Sequence, residues 1–226
     1  MDALAEDVAN ASTTGYKQQR VAFHELVYVP AGPAAAARVA TGVGASVNTD
    51  GREFAQGNLQ PTGRPLDLGL QGPGFLQVRR PDGTVALTRA GSMQLDARGR
   101  LVTDAGDLVE PPIQVPPGTA PDRLAVREDG VVSLGTRRIG RLQIVNVAAP
   151  EKLLSAGDGT FTANAASGAP RRVTGTTVTQ GSLEGSNVDV ADSMVDMIDA
   201  QRSYSLASRA VQMQDQMLEI ANGIKR

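Results

Sequence analysis

From Ser186 to Asn222 the chain runs without a single Gly or Pro, and that stretch constrains the molecule more than any other. Within it Leu206, Ala210, Met213, Met217, Ile220 and Ile224 recur at alternating steps of four and three. Such spacing is a heptad seam, the mark of a helix built to lie against other helices. A second line, Ala207, Val211, Leu218 and Ala221, widens the apolar face. Asp189 is placed to cap the helix start, and Asp192, Asp196 and Asp199 follow it. Lys225 and Arg226 close the other end, so charge order matches the helix dipole. The pattern predicts a helix from Val190 to Ile224, about 50 Å long at 1.5 Å per residue.

The front of the chain offers little to cover it. Residues 2–12 read as a short helix, with Leu4, Val8 and Ala11 on one side and Ser12-Thr13-Thr14-Gly15 ending it. That helix spans only about 15 Å. The seam's five large side chains (Leu206, Met213, Met217, Ile220, Ile224) are worth roughly 1.5–3 kcal/mol each when buried, on the order of 10 kcal/mol together. One chain cannot bury them, so most of the stripe must be buried by other molecules, or the helix stays frayed until it is. The candidate interface residues are Leu4 and Val8 at the front, then Met194, Met197, Ile198, Tyr204, Leu206, Val211, Met213, Met217, Leu218, Ile220 and Ile224 at the back. The methionines suit a helix that meets several neighbours in slightly different geometry.

Between the two helices the pattern changes. Residues 28–65 are rich in Gly, Pro and Ala, with Pro30-Ala-Gly-Pro33 and Ala34–Ala37 showing no clean period. They read as a long irregular connection with some β character. Residues 66–147 read as a train of hairpins. Phe75–Arg79 and Val85–Arg89 flank Pro81-Asp82-Gly83-Thr84; Met93–Leu95 and Leu101–Thr103 flank Asp96-Ala97-Arg98-Gly99; Leu124–Val126 and Val131–Leu134 flank Glu128-Asp129-Gly130. Ile139–Val147 alternates as one half-buried strand, and residues 148–185 are again loop-like. The expected fold class is α+β: a discontinuous helical terminal domain (1–27 with 186–226), a central all-β hairpin-rich domain (66–147), and extended connecting regions at 28–65 and 148–185.

The residues that could carry chemistry point elsewhere. The chain has no Cys and one histidine, His24, which excludes disulfides, thiol catalysis and a multi-His metal site. No catalytic residue, metal site or cofactor is expected. Gly42-Val43-Gly44 and Gly72-Pro73-Gly74 lack the third Gly and the strand–helix setting of a phosphate loop. Asp82, Asp96, Asp104 and Asp129 fall at turns, where Asp is a turn former, which weakens the case for a glycosidase carboxylate pair. A net charge of −2 without a basic run argues against nucleic acid as a partner, and no segment approaches a membrane span. Aromatics are only 3% of residues, which favours an extended or multi-part molecule over one dense globule.

Seven separated strings, in order, resemble the bacterial flagellar basal-body rod and hook family. They are Val8-Ala-Asn-Ala-Ser-Thr-Thr-Gly15-Tyr-Lys17; Gln56-Gly57-Asn58-Leu59; Asp67-Leu68-Gly69-Leu70-Gln71-Gly72-Pro73-Gly74-Phe75; and Thr88-Arg89-Ala90-Gly91-Ser92-Met93-Gln94-Leu95-Asp96. The last three are Gln180-Gly181-Ser182-Leu183-Glu184-Gly185-Ser186-Asn187-Val188, Met194 through Tyr204, and Asp215-Gln216-Met217-Leu218. Leu76 and Met93 stand where the family pattern has Phe. Pro81–Thr84, Gly99–Thr103 and Ser167–Pro170 look most like the distal rod member, with the proximal rod as the near alternative; a hook subunit would carry a larger β region.

The resemblance implies a structural subunit that polymerises through its terminal helices into a helical tube and transmits torque from motor to hook. It implies rod and hook subunits and the surrounding basal-body rings as partners. It also implies a periplasmic place in the basal body, and export by the flagellar apparatus without a cleaved signal. It implies further helix ahead of the segment that begins here at Met1. Two readings of other classes stand beside it: a wall-acting glycosidase and a soluble module that uses the helix for a single partner.

Overall fold

The computed structural model describes residues 1–28 and 41–224, and their side chains except at 21–50, 218, 219 and 221–224. The first helix, α1, spans Asp2–Ala9 and the last, α2, spans Val190–Ile224. α1 stops three residues short of expectation. At Asn10 the side-chain amide donates to Glu6 O (2.9 Å) while its Oδ1 accepts from the Thr13 hydroxyl (3.1 Å). Side chains of this kind compete with the helix ladder and close it early. α2 keeps its expected bounds and packs against α1, so the two ends of the chain meet.

Where the sequence predicts an irregular connection, the backbone forms a long antiparallel ribbon. Gln19–Tyr28 pairs with Thr41–Arg52, from Gln19 opposite Arg52 to Tyr28 opposite Thr41. Part of the segment assigned to the helical front, 1–27, is therefore strand. The run Val21-Ala-Phe-His-Glu-Leu-Val-Tyr28 is rich in β-branched and aromatic residues, which favour a pleated surface. The Pro30–Pro33 and Ala34–Ala37 strings lie outside the described residues.

The β body is built around Phe75–Arg79. One side of that strand pairs with Val85–Thr88, which continues through Thr160–Thr162 to Leu154–Gly157. Other partners are Leu108–Val109, leading to Leu101–Thr103 and Met93–Leu95, and Ile144–Asn146, which pairs onward with Arg171–Arg172. Leu124–Val126, Val131–Leu134 and Arg137–Arg141 form a separate three-stranded sheet in that order. Two short pairs lead back toward α2: Leu68–Gln71 with Thr177–Gln180, and Leu59–Pro61 with Ser182–Glu184.

Two expectations fail here. The strand predicted over Ile139–Val147 is two strands in different sheets. It breaks at Leu142, whose buried side chain joins the core and whose N–H donates to Gly130 O (2.8 Å). Residues 148–185 are also not simply loop. Five short strands lie there, in which isolated apolar residues, the buried Phe161 and Val178 among them, stand between Gly, Ser, Thr and Arg and so show no hydrophobic period.

Successive side chains of Phe75–Arg79 feed two cores, as period-two geometry requires. Leu76 joins Leu68, Leu70, Met93, Leu101, Ile113, Val132 and Ile144. Phe75 joins Leu87, Val145, Val147, Leu153 and Phe161, with Phe54 against them. Three of the chain's four phenylalanines meet in that second core. The Phe54 ring stands edge-on to Phe75 and to Phe161, each at 5.1 Å. Asp82 and Asp96 are committed to turns. Asp82 Oδ1 accepts from Thr84 N and its hydroxyl (2.8 and 2.6 Å), and Asp96 Oδ1 accepts from Arg98 N and Arg100 N (both 2.8 Å). These hydrogen bonds, from the Thr84 hydroxyl and the Arg100 amide foremost, hold both carboxyls below the usual range.

Candidate functional site

The site has two parts: a long helix that offers apolar side chains to solvent, and the junction that aims it. The junction is made by residues far apart in sequence. Glu184, at the end of the last strand, is fully buried, as is Lys17 just after α1; Arg89, at the end of Val85–Thr88, is 2% exposed. Lys17 Nζ donates to Glu184 Oε1 at 2.6 Å and to Ala55 O at 2.7 Å. Arg89 donates to Glu184 Oε2 at 3.0 Å and to Gly72 O at 2.9 Å, with its guanidinium 5.5 Å from the Phe75 ring centre. Gly57 N also donates to Glu184 Oε1 at 3.0 Å. One carboxylate thus serves two cations and a backbone amide. Burial draws the Lys17 ammonium below its ordinary value, against the pull of Glu184 toward the charged form.

Close backbone approach surrounds this knot. Gly15 N donates to Glu184 O at 2.8 Å, and a Cβ on Gly15 would lie 2.7 Å from Ala90 N. A Cβ on Gly57 would lie 2.2 Å from Gly185 O. Glycine is required at both places because only hydrogen fits.

Asn187 then pins the start of α2 to the base of the ribbon. Its Oδ1 accepts from Gln18 N (2.8 Å) and its amide donates to Glu53 O (2.9 Å), while Glu53 N donates to Gln18 O (2.8 Å). Asp189 caps the helix as expected, accepting from Ala191 N at 2.8 Å and Asp192 N at 3.3 Å. α1 is tied to the same place. The buried Asp7 accepts from the Tyr16 hydroxyl (2.8 Å) and Gln19 N (3.1 Å), and the Arg52 guanidinium lies 5.1 Å from the Tyr16 ring centre. Burial, then the Asp7 carboxylate, pushes the Tyr16 phenol up to about 12.

From this anchor α2 leaves the body. Ser193 is buried and Met197 and Ala200 are half-buried, a stripe at i, i+4, i+7 on the part of the helix nearest the body. The same heptad line continues through Tyr204, Ala207 and Val211, all exposed; Tyr204 is 73% accessible. The other seam is open along its described length, with Leu206, Met213, Met217 (69%) and Ile220 exposed. Met194 and Ile198 are exposed on a further side, and Leu4 and Val8 of α1 are half-buried. The side chains of Leu218 and Ile224 lie outside the described residues. Of the candidate interface residues, Met197, Leu4 and Val8 are thus partly spent within the chain. Sequence reasoning missed Lys17, Arg89, Glu184, Asn187 and Asp7 as a structural unit. The first four stand in the strings that carry the family resemblance, which was the available signal.

Among the described residues no helix is long and apolar enough to cross a membrane. Residues 69–134 match the family model described as the flagellar hook protein FlgE/F/G D1 domain, and residues 179–224 match the flagellar basal body rod FlgEFG protein C-terminal model. The flagellar basal-body rod protein FlgG of Buchnera aphidicola (from Schizaphis graminum) is 36% identical over 97% of this chain and 91% of its own length. That of Borreliella burgdorferi is 34% identical over 100% and 93%. The rod protein FlgF of Escherichia coli is 30% identical over 96% and 89%. The chain belongs to the flagellar basal-body rod protein family. The C-terminal rod model begins within Thr177–Gln180, so the family's C-terminal unit holds both Glu184 of the knot and the whole of α2.

Proposed function

We propose that this chain is a structural subunit of the flagellar basal-body rod, the distal rod in particular, and that copies join through their terminal helices into a helical tube carrying torque from motor to hook. The observation that supports it is α2 itself. It is a helix of 35 residues, fixed at one end by a buried ionic knot and, among the described residues, exposed on the apolar seams beyond. Two seams on different sides of one helix need more than one partner helix, and contacts of that kind propagate into an open filament instead of closing as a pair. The role is mechanical and not enzymatic: the carboxylates of Asp82 and Asp96 serve turns, and the charged knot is sealed within the fold. Other rod and hook subunits and the encircling rings are the further partners. The place is the periplasmic part of the basal body, reached by flagellar export without signal cleavage. The helical ends form the assembly domain and the β body lies outside them.

Ile220→Asp tests this. A carboxylate placed in a packed seam is left unpaired and desolvated. The variant is expected to be absent from purified basal bodies and to leave cells non-motile while its β body folds normally. Normal motility with Ile220→Asp overturns the proposal.

A further inference from the structure

The open seam of α2 does not begin at Leu206. Counted back in steps of three and four it runs through Ser203 to Asp199, Asp196, Asp192 and Asp189. One heptad seam is therefore acidic where the helix leaves the body and apolar further out. The four aspartates are exposed, and none is in an ion pair among the described residues. They span about 15 Å at 1.5 Å per residue. Asp189 is held by the amides of the helix start, but a hydrocarbon partner on this stretch would strand the carboxylates of Asp192, Asp196 and Asp199, which calls for a cationic partner.

The β body carries such a surface, and topology alone assembles it. Arg137–Arg141 is an edge strand whose Arg137, Arg138 and Arg141 are exposed. The chain continues into Ile144–Asn146, which pairs with Arg171–Arg172, Val145 opposite Arg172 and Asn146 opposite Arg171. Arg172 donates to Gln143 Oε1 (3.4 Å), and Arg141 and Arg172 line one groove of about 480 Å³ with Glu128 and Asp129 at its side. Arg141 and Arg172 so join two arginine-bearing segments at one groove, a stripe that no run in the sequence shows; Arg137, Arg138 and Arg171 are exposed on those two segments. Its first part, Arg137 to Arg141, covers about 13 Å at 3.3 Å per residue.

We propose that this arginine stripe docks on the acidic first turns of α2 in a second copy of the chain. The proposal rests on α2-mediated assembly. In a filament whose subunits all point one way, a neighbour whose helix lies along the apolar end of the seam brings its own body beside the acidic end. Charge complementarity then fixes register and rejects wrong neighbours, while the hydrocarbon supplies cohesion.

The chain has no Cys, so paired substitutions report the contact directly. In the full chain, Arg138→Cys with Asp196→Cys is expected to give, on oxidation, a ladder of dimers and higher species. Each single variant gives no ladder, and adding Ile220→Asp removes it. Arg137→Glu, Arg138→Glu and Arg141→Glu together are expected to lower the sedimenting assembly about tenfold, and Asp192→Arg, Asp196→Arg and Asp199→Arg in the same chain to restore it. Absence of the ladder, while Ile220→Asp still abolishes incorporation into basal bodies, overturns this contact and leaves the assembly reading standing. A ladder that survives Ile220→Asp, in a strain that still swims, overturns the assembly reading instead. Failure of the reversed aspartates to rescue, with the arginine variants losing only binding to heparin, makes the occupant an anionic polymer and overturns a second copy.

Discussion

The junction and the last helix treat charge and hydrocarbon in opposite ways. At the junction Lys17, Arg89 and Glu184 are sealed from water, and the cost of burying three charges is offset by short contacts among them, although Arg89 Nε has no hydrogen-bond partner among the described residues. Along α2 Leu206, Met213, Met217 and Ile220 are exposed, and nothing among the described residues covers them. The first arrangement is satisfied within one chain; the second leaves its apolar seams exposed. The contrast teaches where stability and assembly can be separated. Disturbing the knot should unfold the body, and disturbing the seam should not.

The largest expected effect comes from Glu184→Leu, which leaves two cations buried without their carboxylate. About 3–5 kcal/mol of stability should be lost, read from urea unfolding. A loss under about 1 kcal/mol would mean that the knot is not what holds the ends to the body. Asn187→Ala removes two hydrogen bonds at the base of α2 and should cost about 1–2 kcal/mol. Hydrogen exchange over residues 190–200 should rise while the β body keeps its protection. Equal exchange in both regions would erase the distinction between anchor and body.

Met217→Asp should change the body's unfolding midpoint almost not at all, within about 0.5 kcal/mol, because the residue is exposed in the free chain. A large shift would show the seam already buried within the monomer. A further effect concerns pH. The Tyr16 phenol is raised from 10.0 to about 12 in the folded chain. Between those values the unfolded state binds fewer protons, so stability falls as pH rises from about 10 to 12. Tyr16→Phe should flatten that decline at the cost of the Asp7 hydrogen bond. An unchanged slope would place the cause in other groups.

Local signals were legible in the sequence. The hairpins Met93–Leu95 with Leu101–Thr103 and Leu124–Val126 with Val131–Leu134 stand where their turn residues put them, since Asp96 and Asp129 act within a few positions of themselves. Asp189 is the helix cap for the same reason. The knot was not legible as a knot, because Lys17 and Arg89 lie 167 and 95 positions from Glu184 and no periodicity links them. The ribbon was missed because Gly42, Gly44 and Gly51 hide a strand whose pairing comes from its partner. Short strands such as Arg171–Arg172 exist only through their neighbours, so the arginine stripe was hidden as well.

Glu184 also imposes an order in time. A chain that emerges from its N-terminus presents Lys17 and Arg89 long before it presents their carboxylate. Until Glu184 arrives the two cations have no shared carboxylate, and only direct contacts such as Lys17 to Ala55 O and Arg89 to Gly72 O are open to them. Once it arrives, closure of the body and the emergence of α2 are nearly simultaneous, since Val190 follows within a few residues. The exposed apolar seams of α2 therefore come into being only on a molecule whose body can already close.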